Sequence, residues 1–383
     1  MKVMTPDTLI QSAHRIVIKI GSAILTDEKS GEVRQDWLKT LSDDVNALIQ
    51  QDKEIIIVSS GAIALGRKAL GISYTDRSSS IPLEQKQAAA ALGQVTLSQA
   101  YSDSFAKLGL NTALILLSPK DTEERQSHLN ARATLLTLIK NKIIPIINEN
   151  DTVSTAEIRF GDNDRLAARI AQMINADLLI QLSTTDGLYD DDPTQNPKAA
   201  HIPLVENINT NITAMAGDAP AGLSTGGMKS KLEAATIATQ AGVDMMITSG
   251  KENHPLSTIN KATIFKSSDK PINARKKWIA SHVKTEGTVV IDDGAVKALK
   301  NGKSLLAVGV KNIDGDFTIG APLSIADQNG AILGVGLSAY KSKEAKQILG
   351  QKSDNIAGIL GYSRGKTLIH QDDLALKELT LQD

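Results

Sequence analysis

Six short, almost uninterrupted apolar runs constrain this chain more than any other feature of its sequence. They lie at residues 15–20, 54–58, 112–117, 143–147, 177–182 and 243–248. A strand with one face in water alternates apolar and polar residues, whereas a strand buried on both faces need not. Helix-like stretches separate the runs, at 36–51, 83–108, 123–141, 165–175 and 228–241. Strands alternating with helices predict right-handed βαβ crossovers. The expected fold class is therefore α/β, an open, mainly parallel sheet sandwiched by helices. A chain of 383 residues leaves room for a second domain.

The pattern changes after about residue 265. Lys266-Ser267-Ser268-Asp269-Lys270-Pro271 reads as a linker or loop. Beyond it come short apolar runs at 288–291, 304–308, 317–319, 322–326 and 332–338, separated by Gly and Asp turns. The expected division is 1–268 for the α/β domain, 269–280 for a linker, 281–370 for a small, mostly β domain, and 371–383 for a C-terminal tail.

Composition excludes several classes. With no cysteine there is no disulfide framework, thiolate nucleophile or Cys-based zinc site. The six histidines, at 14, 128, 201, 254, 282 and 370, have no metal-ligand spacing. No run of about 18 apolar residues occurs, and the N-terminus lacks a signal-like apolar core. A cytoplasmic location with no membrane contact is expected. Net charge is −1, and residues 280–383 carry 12 Lys/Arg against 12 Asp/Glu. Aromatic residues make up 3%. Nucleic-acid binding usually leaves a basic face and stacking aromatics, so RNA is an unlikely partner.

The loops after the apolar runs are small, polar and Gly-containing: Lys19-Ile20-Gly21-Ser22, Ser59-Ser60-Gly61-Ala62, Asn148-Glu149-Asn150-Asp151, Ser183-Thr184-Thr185-Asp186-Gly187 and Ser249-Gly250. In an open α/β sheet such loops share one rim, where ligands bind. The usual nucleotide signatures are missing. Gly61-x4-Gly66-Arg67 only approaches a P-loop, and there is no Gly-x-Gly-x-x-Gly. Lys19, at the end of a buried strand, either meets an anion or snorkels to solvent. Gly222-Leu223-Ser224-Thr225-Gly226-Gly227-Met228-Lys229-Ser230-Lys231 runs into a helix start with two lysines in its first turn. The helix dipole disfavours cations there, and a bound phosphate removes the conflict. Acids and amides gather in Asn148–Asp151, Glu157 and Gly161-Asp162-Asn163-Asp164. That mixture suits a substrate carrying both an ammonium and a carboxylate.

Taken together these segments, with Leu129-Asn130-Ala131-Arg132, Thr155-Ala156-Glu157-Ile158, Gly187-Leu188-Tyr189 and Ala216-Gly217-Asp218, resemble the glutamate 5-kinases of the amino acid kinase superfamily. The resemblance covers nearly the whole chain, and the C-terminal region resembles a PUA domain. It implies the amino acid kinase fold and ATP-dependent phosphorylation of the γ-carboxylate of L-glutamate to L-glutamyl 5-phosphate, the first step of proline synthesis. By position it implies Lys19 and Lys231 on the ATP phosphates, with Asp164 holding both lysines. Thr225, Gly226, Gly227, Met228, Lys229, Ser230 and Lys231 would form the nucleotide loop, with Gly21, Ser183 and Thr184 also at the nucleotide. Ser60, Gly61, Asn148, Asp151 and Asn163 would bind glutamate.

The resemblance further implies Mg²⁺ without assigning it a protein ligand, proline as feedback inhibitor, and a homo-oligomer, dimer or tetramer. It also implies hand-off of product to glutamate-5-semialdehyde dehydrogenase. Two positions depart from the family pattern. The Asp usual in Thr-Asp after the fifth strand is displaced to Asp186, and Ala23 replaces a hydroxyl. The alternatives are a sister kinase (acetylglutamate kinase, aspartokinase or uridylate kinase) and an RNA-binding protein acting through the PUA-like region.

Overall fold

The computed structural model describes residues 4–27, 30–73, 81–153, 162–216, 227–271, 273, 276, 279, 285–363 and 365–377. The chain forms two compact units, Met1–Pro271 and Ile272–Asp383. The first unit contains strands β1 (Arg15–Ile20), β2 (Glu54–Ser59), β3 (Asn111–Leu117), β4 (Ile143–Glu149), β5 (Leu178–Ser183), β6 (Leu188–Tyr189), β7 (His201–Ile202), β8 (Leu204–Val205), β9 (Asp244–Ser249) and β10 (Ala262–Phe265). Eight of them form one sheet in the order β3-β4-β2-β1-β5-β9-β10-β8, while β6 and β7 pair separately. From β3 to β9 every neighbour is parallel; β10 turns antiparallel to β9.

The unbroken apolar runs have the predicted consequence. In β1, Ile16, Ile18 and Ile20 point into one core with Trp37, Leu41, Tyr101 and Phe105, from helices Gln35–Ile49 and Leu83–Ala106. Val17 points into a second core with Ile56, Leu179 and residues of helices Arg125–Lys140, Asp162–Met173 and Met228–Gln240. Each fully buried aliphatic side chain contributes about 1.5–3 kcal/mol. Two covered faces therefore favour apolar residues on both sides of the central strands, which is why alternation is absent.

The chain leaves β1 for β2 on one side, and β5 flanks β1 on the other. Where strand order reverses in this way, the carboxyl ends open a crevice that helices do not close. Lys19 lies at that point, in register with Val58 of β2 and Gln181 of β5.

Two helix boundaries differ from the sequence expectation. The helix expected at 165–175 begins at Asp162, so Asn163 and Asp164 occupy its first turn and not a loop. Acids and amides are favoured there by the free backbone N–H groups and the dipole. The stretch expected at 123–141 is broken at Glu124, whose extended backbone separates Pro119–Glu123 from Arg125–Lys140.

The near-miss glycine pair has a packing role. Gly61 adopts φ +116 as β2 turns into helix Ala62–Arg67, a conformation that disfavours a side chain. Gly66 meets the following long helix backbone to backbone: a Cβ there would lie 1.8 Å from the Ala89 carbonyl, and one on Gly93 1.8 Å from that of Ala62.

The second unit holds β11 (Gly287–Ile291), β12 (Val310–Gly315), β13 (Pro322–Ala326), β14 (Ile332–Leu337) and β15 (Leu374–Leu376), in the order β12-β11-β13-β14-β15. The strand expected at 304–308 is instead a single bridge at Leu305 and a tight turn at Ala307–Gly309, with the strand following. The one expected at 317–319 is irregular; Phe317 is apolar because it fills the core beside Val289 and Leu323. The segment expected as a tail supplies β15, paired with β14.

Candidate active site

Three elements converge at the carboxyl end of β1. Lys19 comes from the strand, Asp164 from the first turn of helix Asp162–Met173, and Ser230 and Lys231 from the first turn of helix Met228–Gln240. All four side chains are buried, Asp164 completely. One Asp164 oxygen, Oδ1, pairs with the Lys19 ammonium. The other, Oδ2, is 3.2 Å from Lys231 Nζ and accepts a 2.7 Å hydrogen bond from Ser230 Oγ. Burial pushes the Asp164 carboxyl up, but the two ammonium groups and the Ser230 hydrogen bond hold it below the usual carboxylate range. Burial pushes the Lys231 ammonium down; Asp164 opposes this and Lys19 adds to it, leaving Lys231 below the usual lysine range.

Among the described residues two ammonium groups share one carboxylate, so these three side chains together carry a net positive charge. It lies at a helix start whose N-cap, Gly227, makes no side-chain cap. The exposed backbone N–H groups and the surplus charge both favour a polyanion. Lys229 points to solvent and Lys231 inward, so the two lysines of the first turn are not equivalent.

A second network begins one residue earlier. Asn163 Nδ2 donates to Ser60 Oγ at 2.9 Å and to Asn148 Oδ1 at 3.1 Å. Asn148 Oδ1 also accepts from the Glu149 backbone N–H, and Asn148 Nδ2 donates to Gln94 Oε1 at 2.8 Å. Asn148 therefore has a fixed amide orientation. Asn163 Oδ1 is buried and has no hydrogen-bond partner among the described residues. Adjacent residues of one helix turn thus serve two sites: Asp164 gathers the cations, and Asn163 heads a chain of amides and a hydroxyl.

The remaining expected residues are placed as follows. Gly21, two residues after Lys19, is the N-cap of the short helix Ser22–Leu25, and Gly61 follows Ser60. Asp151 opens the turn Asp151–Val153, immediately beyond the β4 rim. Ser183 ends β5, where its carbonyl accepts from Gly250, and Thr184 is exposed. Among the described residues, no side-chain hydrogen bond or ion pair joins Ser183, Thr184, Met228 or Lys229 to either network. The displaced Asp186 accepts from Tyr189 Oη at 2.9 Å and lies 3.6 Å from Lys261 Nζ, which ties it to β6. Thr225, Gly226, Glu157 and Gly161 lie outside the described residues.

Sequence reading missed Gln94 and Gln181. Gln94 belongs to an Ala-rich helix with no motif to mark it. Gln181 had a signal, as the single polar residue inside an otherwise apolar run.

Residues 14–249 match the model of the Amino acid kinase family. The chain belongs to the amino acid kinase family. Residues 287–360 match the PUA domain. Glutamate 5-kinase of Brucella ovis is 49% identical over 371 residues, spanning 96% of this chain and 97% of that protein. Glutamate 5-kinase of Brucella abortus strain S19 matches with the same identity and coverage. Among solved structures, UMP kinase from Ureaplasma parvum aligns with a TM-score of 0.45 and 19% identity, over 66% of this chain and 99% of that one. That likeness is too loose to speak about the reaction. No helix among the described residues is long and apolar enough to cross a membrane.

Proposed function

We propose that this kinase transfers the γ-phosphoryl group of ATP to the side-chain carboxylate of L-glutamate, giving L-glutamyl 5-phosphate and ADP, the first committed step towards proline. The observation that carries this reading is the shared helix turn. Asp164 gathers two lysines suited to phosphates, and Asn163 beside it heads a polar chain suited to a small zwitterion. The 49% identity to glutamate 5-kinases over 96% of the chain supports the choice of acceptor.

A γ-carboxylate has an ordinary pKa of about 4.3 and is already a nucleophile at neutral pH. The site needs no general base, and neither network contains a histidine. The work left to the protein is positioning and charge neutralisation. Lys19 and Lys231 would hold the phosphates from two sides, with Asp164 fixing their separation. Ser230 would keep Asp164 oriented. The segment Thr225–Lys231 would cover the nucleotide, with Gly21, Ser183 and Thr184 beside it. Ser60, Gly61, Asn148, Asp151 and Asn163 would bind glutamate, the free Oδ1 of Asn163 accepting from its ammonium group.

Mg²⁺ when bound would neutralise charge on the transferring phosphates. Both Asp164 oxygens are engaged by lysines and Ser230, and no group of three or more His, Cys, Asp or Glu among the described residues could hold a metal. These residues fit a cation carried on the nucleotide itself. By the same kinship, proline would act as feedback inhibitor, the chain would assemble as a dimer or tetramer in the cytoplasm, and its unstable acyl phosphate would pass to glutamate-5-semialdehyde dehydrogenase. The proposed functional division is 1–268 and 281–370, the latter completed by β15 from the segment read as a tail.

The decisive assay is coupled ADP release with glutamate, N-acetylglutamate, aspartate and UMP as acceptors, with and without proline. Turnover is expected with glutamate, and to fall when proline is added. Turnover with UMP but not glutamate would end this reading.

A further inference from the structure

Gln181 occupies an unusual place in β5. Register puts Val58, Lys19, Gln181 and Ile247 in one row across β2, β1, β5 and β9. Paired residues of parallel strands point to the same face, with strands about 4.8 Å apart. The neighbouring row, Val17 and Leu179, lies in the core beneath helices Asp162–Met173 and Met228–Gln240. Gln181 therefore projects beside Lys19 on the face that carries Asp164, Ser230 and Lys231. It is completely buried, and among the described residues neither Oε1 nor Nε2 has a hydrogen-bond partner.

Packing does not explain this residue. Val58 and Ile247, in the same row, show that an aliphatic side chain satisfies the space. A buried amide without partners is costly, so an amide here needs a compensating polar task. The other polar side chain in the row is Lys19, whose ammonium has three donors, one of them directed to Asp164.

We infer that Gln181 is a positioning residue for Lys19: when nucleotide phosphates compete with Asp164 for the ammonium, Gln181 Oε1 accepts from it, directly or through one buried water, and holds it. The inference rests on the ATP-kinase reading above. A neutral amide suits the task better than a carboxylate. Lys19 and Lys231 against Asp164 leave one positive charge to meet the phosphates. A second carboxylate would cancel it, while an amide restrains the ammonium and leaves its charge for the nucleotide.

The test compares the full-length parent with Gln181→Met and Gln181→Glu. Met keeps the volume without the amide; Glu keeps the shape and adds charge. For Gln181→Met, kcat should fall about tenfold, with KM for the acceptor within twofold and a Tm no lower than the parent's. For Gln181→Glu, calorimetric affinity for a non-hydrolysable ATP analogue should weaken about tenfold. A purely structural role would lower Tm and leave both readouts in place. Gln181→Met with kcat within twofold of the parent overturns the inference, as does Gln181→Glu binding the analogue as tightly as the parent. If the charged variant does not fold, the Met variant decides alone. The kinetics use whichever acceptor the parent phosphorylates, and analogue binding needs no acceptor. Failure with glutamate would therefore count against the acceptor assignment and not against Gln181.

Discussion

Lys231 and Asp164 touch each other, yet their removal should have different consequences. Lys231→Ala leaves Asp164 paired with Lys19, so no buried charge is stranded. The fold should survive, while kcat falls roughly 100-fold or more, the scale seen when one preorganised charge donor is lost. Circular dichroism with steady-state kinetics checks this; wild-type kcat would refute the charge-balancing role. Asp164→Ala removes the carboxylate shared by two buried ammonium groups and should cost about 3–5 kcal/mol in stability by urea unfolding. The lowered Asp164 carboxyl also gives a pH signature. A carboxylate held below its unfolded value of about 3.9 contributes stability that is complete above that value and lost as pH falls through the folded one. The stability difference between the parent and Asp164→Asn should therefore be constant near neutrality and shrink as pH drops below about 4.

Between elements, the most demanding contact is the backbone approach of helices Ala62–Arg67 and Leu83–Ala106. A Cβ at Gly93 would overlap the Ala62 carbonyl, and both atoms in the clash are anchored in helices. Gly93→Ala must push the helices apart, at about 1–3 kcal/mol, the usual cost of overpacking. Gln94 is the next residue and holds Asn148. The same substitution should therefore raise KM for the acceptor more than it lowers kcat, a split that denaturant titration and kinetics together would reveal. The sequence showed Gly61 and Gly66 as a failed phosphate loop. Only the contact across the helices shows what Gly66 is for.

Across the molecule, every described residue of both polar networks belongs to the unit Met1–Pro271, which has two hydrophobic clusters of its own. The unit Ile272–Asp383 has separate clusters built on Val289, Leu323, Ile325 and Tyr340, and on Ile279. A fragment of residues 1–271 should fold and keep turnover within about tenfold of the full chain. Circular dichroism and ADP release check this. An unfolded fragment would mean that the second unit supplies stability the two cores lack. Residues 280–383 carry equal numbers of cations and anions, which gives no charge argument for RNA.

Local sequence determined the sheet, because strands buried on both faces need unbroken aliphatic runs and helices between them need none. It also placed the polar rim and marked Lys19, Asp164 and Lys231 through their resemblance to a known pattern. It was poorer in the second unit, where Ala307 and Phe317 are apolar for the core and not for strand pairing. Only the tertiary structure decided that Asn163 and Asp164 begin a helix and which Asp164 oxygen meets which ammonium group. Gln181 shows the limit most clearly. Its burial follows from its run, but its neighbour at register Lys19 lies 162 positions away along the chain. The reason is physical: apolar periodicity is a local property that the chain carries in its own order. The pairing of buried polar groups depends on strand register and helix placement, which only the folded core fixes.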